Sequence, residues 1–217
     1  MHFTGDKTST RFLEQNILNL AYAEYEGVGK YDIPEMRPVE IDNLKDIPLQ
    51  GFNFALKEKH PENIGVHFFL HDYQFERVWK YPDRYIDVLK NFAHVLSPQF
   101  STYEDMPLVT RLYNLYRNRW CGRYWQEQGI KVIPTFSWGG DIDFEWCLDG
   151  LPKHSIVAVS TMGDGRWGNF QGLYSMWDTL QEKLEPKTIL LYGKDLSKNL
   201  SGDNIVFKKL ISSKVAV

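Results

Sequence analysis

Cysteine is scarce in this sequence: there are two in 217 residues, Cys121 and Cys147. That excludes a disulfide-stapled scaffold and every cysteine-based zinc spacing, and it predicts two reduced, buried thiols. Long apolar runs are missing as well; none approaches the roughly 20 residues that a membrane-spanning helix needs. The opening "MHFTGDKTSTRFLEQN" has no apolar centre of the kind a signal peptide carries, so the expectation is a soluble, cytoplasmic protein with no membrane partner. An excess of one charge is also lacking. The 25 Lys and Arg stand against 28 Asp and Glu, a net charge of −3. Nucleic-acid binding would therefore need a local basic face. No stretch carries a dinucleotide fingerprint or a P-loop; "GDGRWGNFQG" lacks both the glycine spacing and the Lys-Ser/Thr pair that cradle phosphate.

What the chain does have is aromatic side chains, 15% of it, with seven Trp and twelve Tyr. They are enough for a core and for surface stacking. From residue 49 on, strand and helix patterns alternate. Strands are predicted at 48–56, 65–70, 94–98, 131–138, 155–161 and 188–193, with a tail strand at 204–210 on an edge. Most are short and apolar on both faces, as parallel strands under helices are. Helical patterns cover 73–92, 106–128, 141–148 and 170–184. This order predicts a parallel sheet, an incomplete or distorted (β/α)-barrel, with an open doubly wound sheet as the alternative. Residues 1–48 read as an N-terminal helix and an arm packing on the core, and 49–217 as one α/β domain.

Both architectures gather functional groups where parallel strands end. That rule selects His71, Asp72, Tyr73 and Arg77 after the second strand, and Ser101, Tyr103 and Asp105 after the third. Ser137 and Trp138 follow the fourth, and Thr161, Asp164 and Arg166 the fifth. Asp72 and Asp105 are the candidate catalytic carboxylates, with Asp72 as general base or electrostatic stabiliser. Arg77 or Arg117 would bind phosphate or orient a carboxylate; Trp138 or Tyr103 would stack on a base or sugar; His71, Tyr73, Ser101, Ser137 and Thr161 would line the cleft.

Each residue also has a structural reading. Asp141 precedes a short apolar helix pattern and is expected as its N-cap, with Asp143 and Glu145 in the first turn favoured by the helix dipole. Asp105, just before Pro107, is expected to cap the long helix. On that helix Tyr113, Tyr116, Trp120 and Tyr124 stripe one face. Tyr116 and Trp120 are expected to face the core, with Arg119 and Arg123 on the exposed side. The same rings and guanidiniums would alternatively form a single-strand-binding surface. No metal is assigned: Asp72, Asp105, Asp141 and Asp164 would hold Mg²⁺ only if the fold brought them together.

The stretches "HFFLHDYQFERVWKYPDRY", "VLSPQFSTYEDMP", "YRNRW", "KVIPTFSW" and "LDGLPKHSIVAVSTMG", in this order between residues 65 and 193, resemble the family named domain of unknown function 4417. That family is frequent in phages, prophages and conjugative elements of Gram-positive bacteria. The resemblance implies a mobile-element setting and no particular reaction or cofactor. By the family pattern, Gln99 stands where an Asp is usual and His71 where an acidic residue is common. If the family works through those carboxylates, this chain is either weakened or depends on Asp72 and Asp105 instead.

Three functional expectations follow. The first is a ligand cleft at the strand ends that binds or processes a nucleotide, nucleoside or nucleic-acid end. The second is a non-catalytic phage-type protein that binds a host or defence protein. The third is a single-strand-binding accessory of replication or transfer. The residues select no reaction, and the chain is left open as an enzyme.

Overall fold

The computed structural model describes residues 18–20, 25–162 and 170–209. The predicted N-terminal helix, and the candidates Asp164 and Arg166, lie largely or wholly outside these residues. A short antiparallel pair, β1 (Gly27–Val28) and β2 (Ile33–Pro34), opens the arm. Seven parallel strand positions follow in chain order: β3 (Leu49–Gly51), β4 (Gly65–His67), β5 (His94–Leu96), the successive β6 (Val132–Ile133) and β7 (Thr135–Phe136), β8 (Ile156–Ser160), β9 (Thr188–Gly193) and β10 (Ile205–Lys209). Every predicted strand has a counterpart, and the tail strand pairs with β9 as the edge.

Pro134 divides the sheet in two. Proline has no N–H to give a ladder, and the chain on either side of it serves different neighbours. Val132–Ile133 pairs with β5, and Thr135–Phe136 with β8. Two four-stranded parallel sheets result, β3-β4-β5-β6 and β7-β8-β9-β10.

Strand order is sequential throughout, and the surface is curled. In a flat sheet β4 and β9 would stand four strand spacings apart, roughly 19 Å. Instead His67 of β4 touches Tyr192 of β9, with ring centroids 4.4 Å apart. The inner face holds Leu49, Leu96, Ile133, Ile156, Ala158 and Leu190, covered from the arm by Val39 and Leu44. Between β10 and β3 no ladder forms among the described residues. Lys208 spans the gap there, its Nζ donating to the Lys45 and Ile47 carbonyls at 2.7 Å each. Among the described residues the sheet is therefore open, and no closed barrel is shown.

The helices lie on the outer face: α1 (Phe52–Ala55), α2 (Glu76–Lys80), α3 (Ile86–Leu89), α4 (Leu108–Glu127) and α5 (Gln171–Leu184). Two expectations are corrected. The strand predicted at 48–56 stops at Gly51, because Phe52 and Ala55 turn together, one helical turn apart, onto the outer core. The helix predicted over 73–92 is broken by Pro82 into α2, a 3₁₀ turn and α3; Tyr81 before it leaves the helical region, with ψ at 71°, as a residue preceding proline is disfavoured in a helix.

Candidate functional site

Because the strands are parallel, the loops leaving them share one end, and side-chain ties join those loops. Asp72, after β4, accepts from the Ser101 backbone N–H at 3.1 Å and from Ser101 Oγ at 2.8 Å, after β5. The Ser101 carbonyl accepts from Asn114 Nδ2 of α4 at 2.5 Å. Asn114 Oδ1 in turn accepts from Arg117, whose other terminal nitrogen lies 2.6 Å from Glu76. The Arg117 guanidinium also covers the Phe100 ring at 3.9 Å.

A second tie joins α4 to the loop after β7. Arg111 meets Asp143 at 2.5 Å, both buried, and the other Asp143 oxygen accepts from the Gly139 N–H at 2.6 Å. Gly139 itself runs so close to Thr102 that an added Cβ would lie 2.1 Å from its carbonyl oxygen. Thr161 Oγ1, after β8, accepts from the Lys194 N–H after β9 at 2.6 Å.

The strand-end residues thus divide into two groups. Asp72, Ser101, Arg117 and Thr161 are engaged in holding the loops, and Ser137 is buried. Trp138 is half-buried and stacks on Phe136. Arg77 lies apart from them, its guanidinium over the Phe52 and Tyr85 rings on the helix side. On the surface, Tyr73 is 80% exposed and stacks beside His71, Tyr103 is 57% exposed, and Asp105 is exposed. Two surface cavities, of about 670 and 520 Å³, lie elsewhere. The larger is at the strand entry end around Asp46, Glu58 and Glu62; the smaller is between the arm and the 144–153 loop. Among the described residues no three His, Cys, Asp or Glu side chains are placed to hold a metal ion.

Three structural expectations fail here. Asp105 does not cap α4, which starts at Leu108 with Pro107 in the cap position and no side-chain cap. Asp141 does not cap its 3₁₀ turn, whose cap position is Gly140; the buried carboxylate of this loop is Asp143. Arg119, expected at the surface, is fully buried. It donates to the carbonyls of Thr135, Cys147 and Asp149 and to Asn118 Oδ1, at 2.8–3.0 Å. Burial lowers its pKa to about 9. Trp120 is buried as expected, and Tyr116 packs edge-on against Trp79.

Sequence reasoning missed His67 as well, and with it the inner pairing to Tyr192, a residue the end of the last predicted strand does offer. His67 Nδ1 accepts from the Phe69 N–H at 3.2 Å, so the ring proton sits on Nε2 and is donated to the Tyr192 hydroxyl at 3.0 Å. Burial lowers the His67 pKa to about 4 and raises that of Tyr192. The available signal was a histidine inside the apolar run "GVHFFL". For α4 it was Asn114 and Asn118, one turn apart in a helix interior where Asn is disfavoured. Asn118 joins Ser97 and Thr135 across the strand ends, at 2.9 and 2.8 Å.

No solved structure matches this chain. The Gene 1 protein of Mycobacterium phage L5 is 37% identical to it over 199 residues, 88% of this chain and 84% of that protein. The Gene 1 protein of Mycobacterium phage D29 is 35% identical over 182 residues, 82% of this chain and 66% of that protein. The family model described as Domain of unknown function (DUF4417) matches residues 25–209, and with relatives of this similarity the chain belongs to that family.

Proposed function

We propose that this phage-type protein is a binding protein, built as an incomplete barrel, whose working face for a host or defence protein is the end where the parallel strands finish. One observation carries the reading: at that end the side chains that tie the loops together, Asp72, Ser101, Arg111 and Asp143, are engaged with one another, while several large apolar side chains point outward. Tyr73, Tyr103, Val109 and Ile142 are each more than half exposed, on the loops after β4, β5 and β7 and the first turn of α4. Aromatic residues of this kind are enriched at the centres of protein interfaces, where a ring is buried at little entropic cost. A catalytic role for Asp72 has less support. Its carboxylate accepts from the Ser101 N–H and Oγ and so serves as a tie between the loops after β4 and β5.

The test is site-specific photo-cross-linking in bacterial cells. A benzophenone amino acid replaces Tyr73 or Tyr103 on this face, or Lys59 at the strand entry end. Protein adducts are expected from positions 73 and 103 and not from 59. Adducts from 59 alone would overturn the reading. So would a melting temperature raised by nucleotides or nucleosides together with no adducts from 73 or 103; that result would restore the small-ligand cleft.

A further inference from the structure

We infer that the partner docks through a basic segment, one that carries Lys or Arg side chains between apolar ones. This rests on the reading that the strand-end face binds a protein, and it names the chemistry of the partner. Around the exposed Tyr103 and Ile142 stand Glu104, Asp105 and Asp141, all exposed. None of the three makes an ion pair among the described residues. Glu104 lies along Gly140, where an added Cβ would be 3.2 Å from its Cγ, so the carboxylates after β5 and β7 are neighbours.

Among the described residues, the two guanidiniums nearest them, Arg111 and Arg117, are not available to answer them. Arg111 is buried on Asp143, and Arg117 is buried between Glu76 and the Phe100 ring. Guanidiniums therefore lie below this surface and unpaired carboxylates above it, with aromatic and aliphatic groups between. Such a field draws cations and repels phosphates over about a Debye length, 8–10 Å at moderate salt. Complementary charge sets the rate and register of docking, while the apolar groups supply the contact. A single-stranded nucleic acid would meet the wrong sign of charge here, although the rings would suit its bases.

The entry end of the strands provides an internal control. Asp42, Asp46, Glu58 and Glu62 line the larger cavity there, with His60 its only ring besides Pro48. It is acidic without an aromatic rim.

The experiment measures fluorescence anisotropy with the full chain and three labelled probes at about 0.05 and 0.2 M salt. The probes are a helical Lys/Leu peptide of about 18 residues, its Glu/Leu counterpart, and an oligothymidylate of similar length. The Lys/Leu peptide is expected to bind, more weakly at the higher salt, and the other two are not. The rim variant Glu104→Gln/Asp105→Asn/Asp141→Asn should weaken binding at least tenfold. The entry-end variant Asp42→Asn/Asp46→Asn/Glu62→Gln should leave it within about twofold. Equal losses in the two variants, no loss in the rim variant, or tighter binding of the oligothymidylate would overturn the inference. If the rim variant binds normally while cross-links persist at positions 73 and 103, the face binds a protein that is not basic. If those cross-links are absent, the underlying reading fails first.

Discussion

Helices α4 and α5 are both packed against the sheet, yet they are built on opposite principles. On α5, Leu173, Met176, Trp177, Leu180 and Leu184 form the buried stripe, and the polar residues face out. On α4, Arg111, Asn114, Arg117, Asn118 and Arg119 are buried beside Leu115, Trp120 and Trp125. The reason is position. α5 covers the middle of β7–β9, where the neighbours are apolar side chains. α4 lies over the break at Pro134, beside the Thr135, Cys147 and Asp149 carbonyls that accept from Arg119 and the Ser97 and Thr135 hydroxyls that meet Asn118. Buried backbone acceptors must be satisfied, and the Arg and Asn side chains of α4 do so. A polar helix buried in this way works as a set of hydrogen-bond donors more than as an apolar layer.

The largest test of this contrast is Arg119→Ala. Removing the guanidinium leaves three carbonyls and the Asn118 amide oxygen without their charged donor, and opens a large void. A loss of about 5 kcal/mol or more is expected, since hydrogen bonds to charged groups are worth about 1.5–3 kcal/mol each. Leu180→Ala on α5 should cost about 2–5 kcal/mol, by cavity formation alone. Urea unfolding midpoints compare the two. A cost for Arg119→Ala below about 1 kcal/mol would show that α4 does not supply these bonds in solution.

Next in size is Asp143→Ala. It strands the buried Arg111 cation, and breaking such a pair from one side costs about 3–5 kcal/mol. Apolar replacement of both partners, Arg111→Met with Asp143→Leu, should recover most of that loss, because the pair's own desolvation cost disappears with it. A double variant no more stable than Asp143→Ala would assign the effect to the Gly139 N–H bond of Asp143.

A smaller effect tests the inner face by pH. His94 is fully buried, and neither ring nitrogen has a partner among the described residues. Burial first, then Lys208 and Lys131, lower its pKa from 6.5 to about 4. In the window between, the unfolded chain binds a proton that the folded one refuses. Stability from this group is therefore complete above pH 6.5 and is lost as pH falls toward 4, by up to about 3 kcal/mol. His67 titrates in the same direction. His94→Leu should leave the neutral-pH midpoint similar or higher and flatten the acid side of the profile. An acid limb unchanged by the substitution would place the loss on other groups.

The same contrast explains what the sequence made legible. β8, α5 and β9 follow simple periodicities, and their positions were read to within a residue or two. α4 was placed correctly, but its burial was inverted at Arg119, because periodicity scores a residue by its own polarity. It does not register that the Thr135, Cys147 and Asp149 carbonyls, many residues away in sequence, lie beside the helix as acceptors. The strand-end location of Asp72 and Ser101 was legible because topology alone fixes it. Their mutual bond was not, since a carboxylate at a strand exit looks alike whether it faces a ligand or the next loop.

The smallest expected effect concerns Asp141, two residues from Asp143. Both were read as parts of one capped helix start, but the structure separates them. Asp143 turns inward and holds Arg111 and the Gly139 N–H, while Asp141 is exposed and makes no cap. Asp141→Ala should therefore change stability by less than about 0.5 kcal/mol, as surface substitutions do, rather than by the 0.5–2 kcal/mol of a lost cap. Asp141→Asn should be equally silent in unfolding, yet as part of the rim variant it should weaken the Lys/Leu peptide. A melting temperature that falls with Ala and is restored by Asn would show that Asp141 caps the loop after all, and that the outward carboxylate belongs to the fold instead of the docking face.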